Sequence, residues 1–233
     1  MDKQSLSTTI SHVFVGKVRA FGPKEQTSAI NKTLVLGAVK VHSLGLEGDE
    51  QADLRVHGGV EKAIHYYPAE HYQKLQETFP HIEFNAGSFG ENLSSVGITE
   101  KEVCLGDIFQ LGSAKVQLSQ GRQPCWKLNH KFGEKTMAKT VQSLGVIGWY
   151  YRVLEDGVVK AGDSLTLLER PCPEANLDRI FNVLHRDTLN FDELEALAPL
   201  EIIPENWRRT FEKRLAKREV EDSSKRLEGP LNS

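Results

Sequence analysis

The chain has little cysteine, no long apolar run and no excess of charge of either sign, and each shortage narrows what it can be. Its three cysteines, Cys104, Cys125 and Cys172, are odd in number and widely spaced. They therefore suit neither a disulfide framework nor the paired C-x-x-C ligands of a structural zinc site. Iron–sulfur clusters, which need more closely grouped cysteines, are excluded on the same ground. No stretch approaches the roughly 20 apolar residues of a membrane span, and Met1 to Ser11 lack the basic start and apolar centre of a signal peptide. A cytoplasmic protein with reduced thiols and no membrane partner is expected. The net charge of −3 gives no electrostatic case for generic nucleic-acid binding. What is present is an apolar fraction of 39% over 233 residues, enough for a substantial core.

Residues 12–170 read as one mainly β domain. Short β-type runs at 13–18, 34–41, 63–67, 108–111, 115–119, 148–154 and 164–168, punctuated by glycine, predict a barrel or sandwich. Val116 and Leu118 alternate with polar neighbours, the period of a strand with one buried face. Two helices interrupt: one opened by Pro68 and ended by Pro80, the other over 136–144 and stopped by Gly145. Asp107 and Asp163 each follow a glycine before a strand and read as turn residues. Pro171 and Pro173 then end the last strand and mark a domain boundary. Over 174–219 three groups of apolar residues recur at helix spacing: Leu177, Ile180, Phe181 and Leu184; Phe191, Leu194 and Leu197; and Trp207, Phe211 and Leu215, the last helix opened by Pro204. They predict a small three-helix domain. Residues 220–233 are polar without apolar period and predict a largely disordered tail.

Four segments could carry chemistry. In Ser119-Gln120-Gly121-Arg122-Gln123-Pro124-Cys125-Trp126-Lys127-Leu128, Pro124 biases Gln123 towards an extended conformation, which puts Cys125 at a strand end between two cations. Positive charge lowers a thiol's pKa, making the sulfur a nucleophile or a soft-metal ligand; a small buried hydrophobe is the competing reading. In the segment 45–63, Arg55, His57 and Lys62 surround Gly58-Gly59, the ingredients of an anion site, although a plain turn with solvated charges uses the same residues. In 86–93, Asn92 follows two glycines and could read a heterocycle edge or simply stabilise its turn. In 147–154, Trp149 and Tyr151 share one strand face and Tyr150 takes the other.

The order of these motifs resembles the MOSC family, domains similar to the C-terminal region of molybdenum cofactor sulfurases, and within it the YiiM type. The resemblance rests on Gly45-Leu46-Glu47-Gly48-Asp49, on Gln51-Ala52-Asp53-Leu54-Arg55-Val56-His57-Gly58-Gly59, on Phe89-Gly90-Glu91-Asn92 and on Arg122-Gln123-Pro124-Cys125. It implies a β-barrel that binds the molybdenum cofactor, molybdopterin carrying the metal. Cys125 would then be metal ligand and catalytic residue, and Arg55, His57, Gly58, Gly59, Lys62, Asn92 and Arg122 would hold the phosphate and pterin. It also implies reduction of N-hydroxylated substrates such as hydroxylaminopurine-like base analogues, with electrons from a separate flavoprotein. Other readings remain: a cofactor or sulfur carrier without turnover; a cysteine hydrolase using His57, His65 or His130 as base; and nucleic-acid binding by the helical extension through Arg208, Arg209, Lys213, Arg214, Lys217 and Arg218. Glu205, Glu212 and Glu219 interleave with those cations, so docking of a protein partner suits that surface better than nucleic acid. A homodimer is compatible with everything above.

Overall fold

The computed structural model describes residues 6–22, 26–52 and 58–229. Its strands in chain order are β1 (Ser7–Thr9), β2 (His12–Val15), β3 (Arg19–Ala20), β4 (Thr27–Ser28), β5 (Thr33–Leu34), β6 (Val39–His42), β7 (Gly45–Leu46), β8 (Ile64–Pro68), β9 (Leu93–Ser95), β10 (Ile108–Leu111), β11 (Ala114–Gly121), β12 (Trp149–Glu155), β13 (Gly157–Val159) and β14 (Ser164–Glu169). The helices are α1 (Glu70–Thr78), α2 (Trp126–Phe132), α3 (Met137–Leu144), α4 (Leu177–His185), α5 (Phe191–Leu197), α6 (Glu205–Lys217) and α7 (Ser224–Glu228). No described helix is long and apolar enough to cross a membrane.

Nine strands form one sheet in the order β1-β14-β10-β11-β12-β8-β9-β2-β5, with β8 and β9 parallel and every other neighbour antiparallel. A barrel requires the first and last strands to pair. Here β1 and β5 bond only inward, so among the described residues the expected barrel is an open sheet. The expected strand over 34–41 is split into β5 and β6 because the chain leaves the sheet between them, with Leu36 95% exposed. β6 joins β7 and β13 in a separate small sheet. The alternation along β11 is as expected, Val116 and Leu118 being fully buried. Trp149 and Tyr151 likewise bury one face of β12.

The helical extension is not an appendage. Leu177, Ile180, Leu194, Leu197, Trp207 and Phe211 belong to the same apolar core as Val116, Leu118 and Trp149 of the sheet. The approach is closest at Gly121, where an added Cβ would stand 3.1 Å from Leu177 Cδ1. Inside the extension Arg214, expected on the charged outer face, is only 1% exposed. It donates to the carbonyls of Val183 (2.8 Å) and Leu184 (3.0 Å) at the end of α4, and to Glu221. Four carbonyls at a helix C-terminus lack intrahelical partners, and a buried guanidinium satisfies several at once. The tail, expected without structure, forms α7 over Ser224–Glu228. Residues 230–233 lie outside the described residues.

One buried carboxylate sets the turn that feeds β12. Glu100 accepts hydrogen bonds from the amides of Ile147 (3.0 Å) and Gly148 (2.7 Å) and from His71 Nε2 (2.8 Å). Gly148 in turn offers its carbonyl to the amide of Arg122 at 3.0 Å. Burial acts to raise the pKa of Glu100, but the hydrogen bonds from His71 and the backbone outweigh it and hold the carboxyl below its usual 4.5. Replacing Glu100 by alanine orphans two buried amides and is expected to cost about 2–4 kcal/mol in chemical denaturation. A depressed carboxyl stabilises fully above its unfolded pKa. The wild-type advantage over the variant should therefore be complete above about pH 4.5 and shrink as the pH falls further.

Candidate functional site

β11 ends at Gly121, three residues follow, and Cys125 then takes the N-cap position of α2 with extended backbone angles, φ −139° and ψ 167°. The cysteine thus stands at a helix start and not at the expected strand end. Pro124 cannot continue a ladder, and the first turn closes with the Leu128 amide on the Cys125 carbonyl at 2.9 Å. Gly133, at φ 64°, ends α2 in the left-handed conformation that glycine adopts without strain.

Cys125 opens on a cleft that is partly continuous with solvent. Arg122 and Lys127 of the same segment line it together with Lys32 and Lys62. His65 and Tyr150, from the neighbouring strands β8 and β12, line the floor with ring centroids 4.9 Å apart.

The walls are held by two buried acids. Asp49 accepts from the Gly16 amide (2.6 Å), from Asn92 Nδ2 (2.9 Å) and from Lys32. Glu91 accepts from the Phe89 amide (2.9 Å), the Gly87 amide and the Tyr72 hydroxyl. Asn92 gives its second amide hydrogen to the Phe14 carbonyl at 3.1 Å and receives the His65 amide at 2.9 Å. Both of its N–H groups are therefore committed to the wall.

Positive charge exceeds what these acids balance. Arg122 is 8% exposed, and among the described residues its side chain donates to the Phe89 carbonyl at 2.8 Å and no carboxylate pairs with it. Behind it, Lys131 has its pKa lowered to about 8, first by burial and then by Arg122 and Lys32, against the pull of Glu91. Lys32 is lowered too, by burial that outweighs Asp49. His65 is held well below 6.5 by burial and by Arg122, and its Nε2 has no hydrogen-bond partner. A buried cation whose donors are mostly uncommitted, in a cleft that already depresses its other bases, is suited to an anion.

Of the residues singled out in the sequence, Cys125, Arg122, Lys62 and Asn92 come together here. Gly58 and Gly59 do not line the cleft; the Gly59 amide is taken by Gln51 Oε1 at 2.7 Å. Arg55 and His57 lie outside the described residues. His130 is exposed and packs edge-on to Phe21, so of the two described histidines considered as a hydrolase base only His65 lines the cleft. The sequence reading missed Lys32 and the anchoring role of Asp49. Asp49 had a signal in its glycine-flanked turn; Lys32 had none. No three His, Cys, Asp or Glu side chains among the described residues converge as a metal site.

Cys104 is buried and its thiol is raised from 9.0 to about 11, chiefly by burial. Two units cut the thiolate fraction about a hundredfold. Brief treatment of the native protein with iodoacetamide at pH 8 should therefore modify Cys125, half-buried at the cleft, and leave Cys104 intact. Peptide mass spectrometry reads both.

Two family models match the chain, the MOSC domain over residues 53–166 and the YiiM-like 3-alpha helix domain over residues 177–218. Protein YiiM of Escherichia coli is 39% identical over 219 residues, covering 93% of this chain and 97% of that one. A crystal structure of YiiM from Escherichia coli superposes with a TM-score of 0.77 at 33% identity, covering 95% of this chain and 98% of the other. A protein named reductase from Gibberella moniliformis is 36% identical over 173 residues, 73% of this chain but 31% of its own length.

Proposed function

The chain belongs to the MOSC domain family and carries the YiiM-like three-helix domain, and from that premise we propose that it is a molybdenum cofactor-dependent reductase of N-hydroxylated compounds. The observation that carries the proposal is that Cys125 opens on the same cleft as Lys32, Lys62, Arg122 and Lys127. The residues present fit such a cofactor: a thiol is a soft ligand of the kind molybdenum takes, and buried Arg122 has donors left for a phosphate. When bound, the cofactor supplies the two-electron chemistry that cleaves an N–O bond. The relative named reductase supports an oxidoreductase.

The chain's own residues bind, orient and exclude water. Cys125 Sγ holds the metal side, while Arg122, with Lys32 and Lys62, neutralises the anionic side. Tyr150 lines the cleft with an aromatic ring suited to a flat ring system. Conversion of R–NHOH to R–NH2 and water consumes two electrons and two protons. His65, buried and held neutral beside Arg122, packs its ring against Tyr150 and so helps fix the side chains that line the cleft. Three scattered cysteines hold no iron–sulfur relay, so a separate redox partner is needed, and the family resemblance implies a flavoprotein.

Protein made in a host that synthesises the cofactor should contain molybdenum, and Cys125→Ala should lose most of it while Cys104→Ala and Cys172→Ala keep it. Elemental analysis after gel filtration decides this, and equal metal in wild type and Cys125→Ala removes the cysteine as ligand. With a chemical donor or a reduced flavoprotein, the loaded protein should convert a hydroxylaminopurine to the amine. Loaded protein that turns over none of a broad N-hydroxylated panel would instead be a carrier.

A further inference from the structure

The C-terminal segment returns to the cysteine. It leaves α6 at the buried Arg214–Glu221 pair, forms α7 and lies against α2 and α3. Arg226 donates to the Pro124 carbonyl, the last acceptor before Cys125, and at 2.8 Å to Gln142 Oε1 on α3. The Leu227 carbonyl accepts from Asn129 Nδ2 at 2.7 Å, and the same Asn129 side chain accepts the Ala138 amide at the start of α3 at 2.7 Å. Gly229 runs so close to Trp126 that an added Cβ would sit 3.1 Å from the indole Cγ. Arg226 and Cys125 are within Coulombic reach of each other. A five-residue helix has no stability of its own in water. The side-chain hydrogen bonds of Arg226 and the one to the Leu227 carbonyl all land on 124–129 or on α3.

We infer that residues 221–229 are a strap by which the helical domain holds the cysteine in place, with Arg226 as its positioning residue acting through the Pro124 carbonyl. The inference rests on Cys125 as the working residue of the cleft, and it gives the helical domain a task at the site besides any docking of partners. Pro124 lacks an N–H, so its residue contributes only the carbonyl to fixing the turn. A bidentate guanidinium bridging that carbonyl to α3 limits rotation of the turn about its own backbone. A metal ligand displaced by an ångström loses the geometry that chemistry requires.

The test uses the full chain, with Arg226→Ala and Arg226→Lys, and reads backbone amide exchange by mass spectrometry on protein free of cofactor. Peptides spanning 122–129 should exchange roughly tenfold faster in Arg226→Ala, the equivalent of one lost charge-assisted hydrogen bond, while peptides from β10, β11 and β12 do not change. Arg226→Lys, which keeps a donor for the Pro124 carbonyl, should recover most of the protection. In loaded protein kcat should fall severalfold in Arg226→Ala with KM for a hydroxylaminopurine unchanged. If Arg226→Ala does not fold, Gln142→Ala, which removes the second anchor alone, should show a smaller local acceleration in the same peptides. Unchanged exchange at 122–129, or acceleration spread evenly over the sheet, overturns the strap. Local loosening with unchanged kcat overturns the positioning role. Absence of molybdenum from the wild type would sink the proposed function and leave the exchange result to judge the strap alone.

Discussion

Asp49 accepts hydrogen bonds from the Gly16 amide, the Asn92 side chain and the Lys32 ammonium, and in doing so ties three segments distant in sequence. Gly16 follows β2, Lys32 precedes β5, and Asn92 leads into β9. The Lys32 and Asp49 side chains are almost fully buried, 7% and 6% exposed. A buried carboxylate left without its partners costs several kcal/mol, so the three contacts stand or fall together. The cleft is the space left between the segments that this acid draws in, and Cys125 and Arg122 close it from the other side.

Around that anchor Arg122 is buried with no carboxylate partner among the described residues. Lys32, Arg122 and Lys131 all sense Glu91 or one another, and Lys131 has its pKa depressed first by burial and then by Arg122 and Lys32. Folding alone would favour an apolar replacement at such a place. The anionic ligand proposed for the site would reverse the balance, because charge-assisted hydrogen bonds to a phosphate recover what desolvation took away. The site thus carries an imbalance that the fold tolerates and the proposed ligand would relieve.

The two parts of the chain depend on each other at this point. The sheet supplies the floor through His65 and Tyr150, and Glu100 fixes the turn on which the Arg122 amide rests. The helical region buries Trp207 and Leu177 beneath Gly121 and sends Arg226 back to Pro124. Arg214 makes that return path by turning inward to finish α4 and meet Glu221. An outward-facing arginine at helix spacing would have left the tail unanchored.

By itself the sequence determined the elements with strong local signals: strand β10 over Ile108–Leu111, the alternation along β11, helices α1 and α3, although Pro68 ends β8 and α1 opens only at Glu70, and the apolar stripes of α4, α5 and α6. Period and punctuation are properties of neighbouring residues, and need no tertiary contact to be read. Cys125 beside Arg122 and Lys127 was legible for the same reason, as was the MOSC resemblance from motifs in order. Tertiary structure alone decided the rest. α2 was hidden because Pro124 reads as a break and its residues as the end of a strand. α7 was hidden because Leu227 is its one apolar residue, and its order comes from contacts with Pro124, Asn129 and Gln142. Lys32 and Asp49 carry no local mark of their meeting, and Arg214 sits in a charge run that reads as solvated. Sheet closure also lay beyond the sequence, since it depends on whether β1 and β5 reach each other and not on what either strand is made of.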